Sequence, residues 1–119
     1  MYKINKNISF DFLKGKMLQQ ICIGKYQMIF NFEDSVSVSI ESKFTLKLSH
    51  DYYEQWESSS KNIPIRIFGL LDQKIVDVFV PNEMTLQLLF ENGDEMMIYD
   101  SNNNYESFQV THKTDTIIV

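Results

Sequence analysis

The stretch that decides the fold is Met84-Thr-Leu-Gln-Leu-Leu-Phe-Glu-Asn-Gly-Asp-Glu-Met-Met-Ile-Tyr99. On both sides of Asn92-Gly93, apolar residues occupy every second position, which is the period of a half-buried β-strand. Asn-Gly can adopt the positive φ angles of a type I′ turn, a common connection in tight hairpins. The stretch therefore predicts an antiparallel hairpin with strands at residues 84–90 and 94–99.

A similar pattern lies 58 residues earlier, where Phe32-Glu33-Asp34 matches Phe90-Glu91-Asn92. Because the flanking strands stay in register too, we predict a duplicated unit that covers residues 13–48 and 71–110. Phe32 and Phe90 are then expected at equivalent inward positions. The other matches are Met28, Phe30, Val38 and Ile40 with Leu86, Leu88, Met96 and Ile98, and further upstream Leu13, Lys16, Leu18 and Ile21 with Leu71, Lys74, Val76 and Phe79.

Alternating patterns predict strands elsewhere in the chain as well, which contains no alanine and many β-branched and aromatic residues. The chain length of 119 residues suits one domain, residues 1–119. We predict a mainly β fold in which two duplicated antiparallel meanders form a sandwich or a partly open barrel, with one short helix between the repeats. The further strands are expected at residues 17–24, 26–32, 36–41, 43–49, 74–80, 105–110 and 115–119.

The predicted helix covers residues 51–57, Asp-Tyr-Tyr-Glu-Gln-Trp-Glu, with Ser49 as its N-terminal cap. Its aromatic residues have the spacing of one helical face, and its carboxylates begin near the positive end of the helix. That face either packs on an open end of the sheet or forms an exposed patch for a partner. Under the second interpretation the partner-binding residues are Asp51, Tyr52, Tyr53, Glu54, Trp56 and Glu57. Residues 65–71 could form a helical turn or a strand, and we favour the turn.

The hairpin tips form a second acidic surface. Paired carboxylates can act in acid–base chemistry, but exposed tips lack the burial that shifts a pKa. We therefore expect solvated turns there, which offer an alternative contact surface for a partner. The residues of this surface are Glu33, Asp34, Glu91, Asp94 and Glu95.

The net charge of −5 and the single arginine, Arg66, argue against nucleic-acid binding, which favours a basic face. A basic protein partner or a small ligand suits this charge better. Cys22 is the only cysteine, so no intramolecular disulfide is expected. Residues 1–12 lack a signal-peptide pattern, and no apolar run approaches the length of a membrane span. These features predict a cytoplasmic protein that makes no contact with a membrane.

No catalytic constellation is recognisable in the chain. Either of the two histidines, His50 and His112, could approach Cys22 or a serine, but nothing in their spacing predicts it, and no glycine-rich phosphate loop can be drawn with four glycines. We therefore expect no enzymatic activity and no cofactor.

One segment partly copies a calcium-binding loop. Asp100, Asn102 and Asn104 stand where the first three ligands belong, but Tyr105 replaces the required glycine and Thr111 replaces the bidentate glutamate. We expect a solvated loop and no metal.

Four groups of residues together resemble a family of small bacterial proteins of uncharacterised function, some of which are similar to immunity proteins of contact-dependent or polymorphic toxin systems. The resemblance implies a small, acidic, non-enzymatic, intracellular protein that binds a toxin. The groups are Leu13-Lys14-Gly15-Lys16, Phe32-Glu33-Asp34, Phe90-Glu91-Asn92-Gly93, and Asp100-Ser101 with Tyr105-Glu106-Ser107.

Two functions follow as expectations. The first is an interaction protein, an immunity protein that binds and neutralises a cognate toxin with a basic surface. The second is a small-molecule ligand-binding or scaffolding module with a pocket between the repeats, lined by Phe30, Phe32, Leu88 and Phe90. The same four residues would equally serve as the core.

Overall fold

The computed structural model describes residues 3–48, 53–58, 62–100, 107–113 and 115–119. Ten strands account for most of this part of the chain, and two short 3₁₀ turns accompany them. The turns are η1 (Asp11–Leu13) and η2 (Ile65–Leu70). The strands are β1 (Leu18–Ile23), β2 (Met28–Phe32), β3 (Val36–Ile40), β4 (Lys43–Lys47), β5 (Tyr53–Glu57), β6 (Ile75–Asn82), β7 (Thr85–Phe90), β8 (Glu95–Tyr99), β9 (Phe108–His112) and β10 (Asp115–Ile118).

Two five-stranded antiparallel sheets pack face to face, and neither closes into a barrel. The first sheet has the order β1-β2-β3-β9-β10, and the second has the order β6-β7-β8-β4-β5. Each sheet therefore combines the three-strand meander of one repeat with a two-strand hairpin of the other, and each repeat extends one strand beyond its predicted bounds, to β5 and to β10. The prediction of a mainly β sandwich is confirmed, and the exchange of hairpins between the repeats is a feature that the sequence pattern does not reveal.

The duplication is visible in the strand registers. Phe32 pairs with Leu18, and Phe90 pairs with Ile75, and in both units a β-bulge follows that pair. The upstream matches made at an offset of 58 residues are therefore wrong by one position, since Leu18 corresponds to Ile75. Burial agrees, because Leu18 and Ile75 are fully buried whereas Val76 is 49% exposed. The cause is a second register shift in the β6–β7 hairpin, between Phe79 and Asn82, which adds one residue and has no counterpart in the β1–β2 hairpin.

The two units meet at a seam with reciprocal backbone hydrogen bonds. The N–H of Gly15 donates to the carbonyl of Ile75 at 2.7 Å, and the N–H of Asp72 donates to the carbonyl of Leu18 at 2.9 Å. Gly15 and Asp72 both have positive φ, 81° and 70°, so the chain makes the same left-handed step before each first strand. This reciprocity shows that a pseudo-two-fold axis relates the repeats.

The core lies between the two sheets and draws on both repeats. Phe32 and Phe90 are 4% and 1% exposed, so the prediction of equivalent inward positions is confirmed. The Phe44 ring stands edge-on to Phe30 and stacks on Trp56, with both pairs of ring centroids 5.7 Å apart. Trp56 is 1% exposed and therefore belongs to the core.

The prediction of a helix at residues 51–57 is wrong for the described part of that segment, because Tyr53–Glu57 is strand β5. Residues 49–52 lie outside the described residues. β5 pairs with β4, and Trp56 faces inward opposite Phe44. Burial of the indole against the neighbouring strand outweighs the local helical spacing, which decides little over five residues. The helical turn expected at residues 65–71 is confirmed as η2.

The hairpin at Asn92-Gly93 is confirmed, but its expected turn type is wrong. Gly93 has φ of 93°, and Asn92 does not have a positive φ. The N–H of Gly93 donates to the carbonyl of Phe90, and the N–H of Phe90 donates to the carbonyl of Asp94, both at 2.9 Å. This is a three-residue loop in which a type I turn is followed by a left-handed glycine.

The two consecutive positive φ angles of a type I′ turn occur instead in the first repeat. They belong to Asp34 at 59° and Ser35 at 60°, between β2 and β3. The N–H of Val36 closes this turn by donating to the carbonyl of Glu33 at 3.2 Å. Among the described residues, no helix is long and apolar enough to cross a membrane.

Candidate functional site

In the part of the chain that the structure describes, β5 lies at one edge of the second sheet and pairs with β4 alone. Three of its residues, Tyr53, Gln55 and Glu57, are exposed. They stand opposite Lys47, Thr45 and Lys43 on β4, so all six lie on the outer face of the sheet. An edge strand also presents backbone N–H and C=O groups that another chain can pair with. The exposed side of β5 therefore combines a backbone edge with an aromatic ring and a carboxylate.

Tyr53 is 59% exposed, and the Lys47 Nζ atom lies 6.0 Å from the centre of its ring. A cation near the ring face favours one position of the ring at modest energy. Tyr53 therefore offers a large apolar surface that is partly fixed before any contact. Tyrosine is enriched among the residues that dominate binding energy in protein interfaces.

The inward residues of β5 anchor the strand. Trp56 packs on Phe44 in the core, and one Glu54 carboxylate oxygen accepts a hydrogen bond from the backbone N–H of Arg66 at 2.9 Å. The second contact ties β5 to η2. A partner that approaches this edge would therefore touch Tyr53 and Glu57, while Trp56 supports them from beneath.

The predicted partner-binding segment is thus divided by the structure. Tyr53 and Glu57 face solvent, Glu54 is half-buried, and Trp56 is buried. Asp51 and Tyr52 lie outside the described residues. Sequence reasoning placed the aromatic rings on one helical face, whereas alternation along the strand sends Tyr53 and Trp56 to opposite faces.

The outer face next to β5 carries a second ordered tyrosine. The Tyr99 hydroxyl lies 3.1 Å from the Thr45 hydroxyl, and the Lys43 Nζ atom lies 5.2 Å from the centre of the Tyr99 ring. Lys43 is in turn paired across the strands with Glu57. The aromatic and charged character of β5 therefore continues onto β4 and β8.

The predicted second acidic surface lies at the seam between the repeats. Glu33 Oε1 accepts a hydrogen bond from the backbone N–H of Met17 at 2.8 Å, and Glu91 Oε1 accepts one from the N–H of Lys74 at 3.2 Å. Met17 and Lys74 form an isolated β-bridge with each other. The structure therefore places the two hairpin tips on opposite sides of one seam. There each glutamate side chain hydrogen-bonds the backbone of a seam residue, Met17 or Lys74.

The aspartate beside Glu33 is engaged as well. Asp34 Oδ2 accepts a hydrogen bond from Lys16 Nζ at 2.8 Å, and this bond and charge lower the pKa of Asp34 below its usual value. At the other tip, Asp94 Oδ2 accepts a hydrogen bond from the Asn92 amide at 3.0 Å, and Asp94 is buried. Of these two contacts, only the Lys16 contact offsets a negative charge, that of Asp34, whereas the neutral amide donor leaves the charge of Asp94 in place.

The last member, Glu95, begins β8, and its Oε2 atom accepts a hydrogen bond from the Gln87 amide at 3.4 Å. Glu95 lies on the outer face of the second sheet, opposite Lys47 in the β4–β8 register. It therefore belongs with the surface around β5 more than with the seam.

Of the two histidines, His50 lies outside the described residues, and His112 stacks flat on Phe12. Their ring centroids are 4.4 Å apart and their planes differ by 9°. No group of three or more His, Cys, Asp or Glu side chains that could hold a metal occurs in the described ranges.

Asp100, the first residue of the calcium-like loop, is buried and links two segments of the chain through hydrogen bonds. It is 1% exposed, and its carboxylate accepts hydrogen bonds from the Lys3 backbone N–H at 2.9 Å and from the Ser107 hydroxyl at 2.6 Å. It joins the N-terminal segment to the start of β9. Asn102 and Asn104 lie outside the described residues, and no sequence signal pointed to this structural role.

The four residues expected to line a pocket between the repeats, Phe30, Phe32, Leu88 and Phe90, are all buried in the core. An open cavity of about 430 Å³ lies elsewhere, between residues 3–8 and residues 117–119. No family model, no curated protein and no solved structure matches the chain. The resemblance to immunity proteins therefore stays a prediction that rests on the sequence.

Proposed function

We propose that this chain is a non-enzymatic interaction protein of the cytoplasm, an immunity protein that binds a cognate toxin and neutralises it. The observation that carries the proposal is the β5 edge, where exposed Tyr53 and Glu57 stand beside an open strand edge. We define the contact surface as Tyr53, Gln55 and Glu57 together with Tyr99.

The backbone edge supports this proposal because an extended segment of a partner can add to it as a further strand. Such pairing supplies affinity through main-chain hydrogen bonds, and the side chains of Tyr53 and Glu57 would supply specificity. Trp56 and the Glu54 contact with Arg66 hold the edge in place. The strand therefore loses little conformational entropy when a partner binds.

Electrostatics supports a basic partner. The chain has a net charge of −5, and an acidic protein is steered toward a positively charged surface at long range. A toxin that acts on nucleic acid has such a surface around its active site. Covering that surface would block the substrate without any chemistry by the inhibitor.

The experiment first establishes whether a gene next to this one encodes a toxin, and then measures the affinity of the chain for that toxin, purified with its catalytic residue replaced for safety. We expect Tyr53→Ala to lose about 2–4 kcal/mol of binding free energy, as central tyrosines do. Glu57→Lys should slow association and weaken its salt dependence, because steering acts on the on-rate. Cells that carry the active toxin should be less well protected by Tyr53→Ala and by Glu57→Lys than by the unmodified chain.

Two control variants carry matched changes elsewhere on the molecule. Phe79→Ala removes an exposed aromatic ring at the opposite edge of the same sheet, and Asp115→Lys reverses an exposed charge on the other sheet. Both should bind as the unmodified protein does. The proposal is wrong if the unmodified chain neither binds nor protects, and the chosen surface is wrong if the controls weaken binding as much as Tyr53→Ala.

A further inference from the structure

The outer face of the first sheet differs in chemistry from the outer face of the second sheet. Strand pairing aligns ten outward residues into two rows that cross all five strands. None of the ten is charged, although 23% of the residues in the chain are charged. The rows are Gln20, Asn31, Ser37, Thr111 and Thr116, and Cys22, Ile29, Ser39, Gln109 and Ile118. We call these ten residues the uncharged face.

The duplication provides an internal comparison. The same positions on the second sheet include three charged residues, Asp77, Glu95 and Lys47. The fold therefore does not impose the absence of charge on the first sheet. The corresponding rows are Asp77, Leu89, Glu95, Lys47 and Tyr53, and Phe79, Gln87, Met97, Thr45 and Gln55.

Side chains of the uncharged face hydrogen-bond with each other across the strands. The Asn31 amide donates to Gln20 Oε1 at 2.8 Å, and the hydroxyls of Thr111 and Thr116 lie 3.4 Å apart. Ile118, which is 44% exposed, adds apolar area at the edge. Most of these side chains are short, so the surface of the uncharged face is flat and consists of neutral polar and apolar groups.

Charged residues flank the two rows in the direction of the strands. Asp34 and Lys113 lie in turns at one end, and Glu41 follows β3 at the other end. An uncharged centre with charge at its margin is the pattern of a protein interface, whose core is depleted in charged residues and whose rim is polar.

We propose that the uncharged face docks against the same face of a second copy of this chain. Two copies with a net charge of −5 each repel one another over most of their surfaces. Contact through this face brings only neutral groups together, so no charge has to be stripped of water. A symmetric face-to-face contact uses the same patch twice, as two-fold dimers do.

The size of the face sets the strength of this contact. Five strands about 4.8 Å apart and about five residues long give a footprint of roughly 24 by 17 Å, or about 400 Å² on each copy. Stable complexes bury about 800 Å² on each partner, so the dimer is weak and reversible. The second sheet faces away from the contact, and the β5 edge of each copy stays open to a different partner.

The test is sedimentation velocity of the full chain from about 10 μM to about 1 mM, the range in which a weak dimer forms. We expect the average mass to rise toward that of a dimer. Ser39→Lys places a charge at the middle of the face and should weaken dimerisation at least about tenfold. Met97→Lys makes the same charge change at the equivalent position of the second sheet and should leave dimerisation unchanged.

A second measurement uses the unmodified protein, so it does not depend on the folding of a variant. Amide chemical shifts should change on dilution in β1, β2, β3, β9 and β10 and stay constant in the second sheet. A chain that remains monomeric throughout the range overturns the proposal. So does equal weakening by Ser39→Lys and Met97→Lys, or dilution shifts that map to the second sheet.

Discussion

Trp56 illustrates how a single side chain can belong to the core while it supports a surface. Its indole is buried against Phe44, and the residues on either side of it along β5, Gln55 and Glu57, are exposed. A tryptophan in an acidic, aromatic segment indicates a binding residue when only the sequence is considered. The structure assigns it to packing, and the exposed tyrosine three residues earlier takes the outward position.

We expect Trp56→Ala to lower the free energy of unfolding by about 3–5 kcal/mol, as truncation of large buried aromatic residues does. Urea denaturation measures this change. Trp56→Phe keeps an aromatic ring in the site and should cost clearly less. A loss below about 1 kcal/mol for Trp56→Ala would show that the indole is not packed as described, since surface substitutions have effects of that size.

The elements differ in how far the sequence predicts them. Nine strands follow from alternation of apolar and polar residues, because a half-buried sheet requires that period. β5 was missed because the spacing of its aromatic residues also fits a helix, and only pairing with β4 decides between the two. The second register shift in β6, between Phe79 and Asn82, adds a residue without any mark in the sequence, which explains the error of one in the upstream alignment.

Turn chemistry is the element property that the sequence predicts least well here. Asn-Gly, the dipeptide typical of a type I′ turn, forms a different loop, and the type I′ turn falls on Asp34-Ser35. A non-glycine residue with positive φ is strained by roughly 1–2 kcal/mol. The first hairpin therefore keeps a suboptimal residue at its tip.

We expect Ser35→Gly to stabilise the protein by about 0.5–1 kcal/mol, because glycine adopts positive φ without that strain. Gly93→Ala is the opposite change at a position with φ of 93° and should destabilise by at least about 1 kcal/mol. Thermal unfolding of both variants measures the pair. Destabilisation by Ser35→Gly would contradict the assigned turn geometry.

For the whole molecule, the exchanged hairpins give the sandwich two chemically different faces. Each sheet takes three strands from one repeat and two from the other, so the repeats complete each other. The first sheet presents the uncharged face, and the second presents tyrosines, lysines and glutamates around β5. None of this follows from alternation along single strands, because the pairing of β3 with β9 and of β4 with β8 joins residues far apart in sequence.

The candidate site was predicted in part. The sequence singled out the segment that contains β5 from its composition, without its conformation or the direction of its side chains. It also indicated the hairpin tips, whose carboxylates brace the seam between the repeats. Tyr99 was not anticipated, because its role depends on neighbours on β4 that only the folded sheet supplies.

The central claim is that a protein partner binds at the β5 edge. Hydrogen–deuterium exchange on the complex with the toxin encoded by the adjacent gene tests it most directly. The claim predicts that amides of residues 53–57 gain the largest protection, since a partner that pairs with the edge covers their backbone. Protection confined to the seam around Glu33 and Glu91, with β5 exchanging as it does in the free protein, would contradict it.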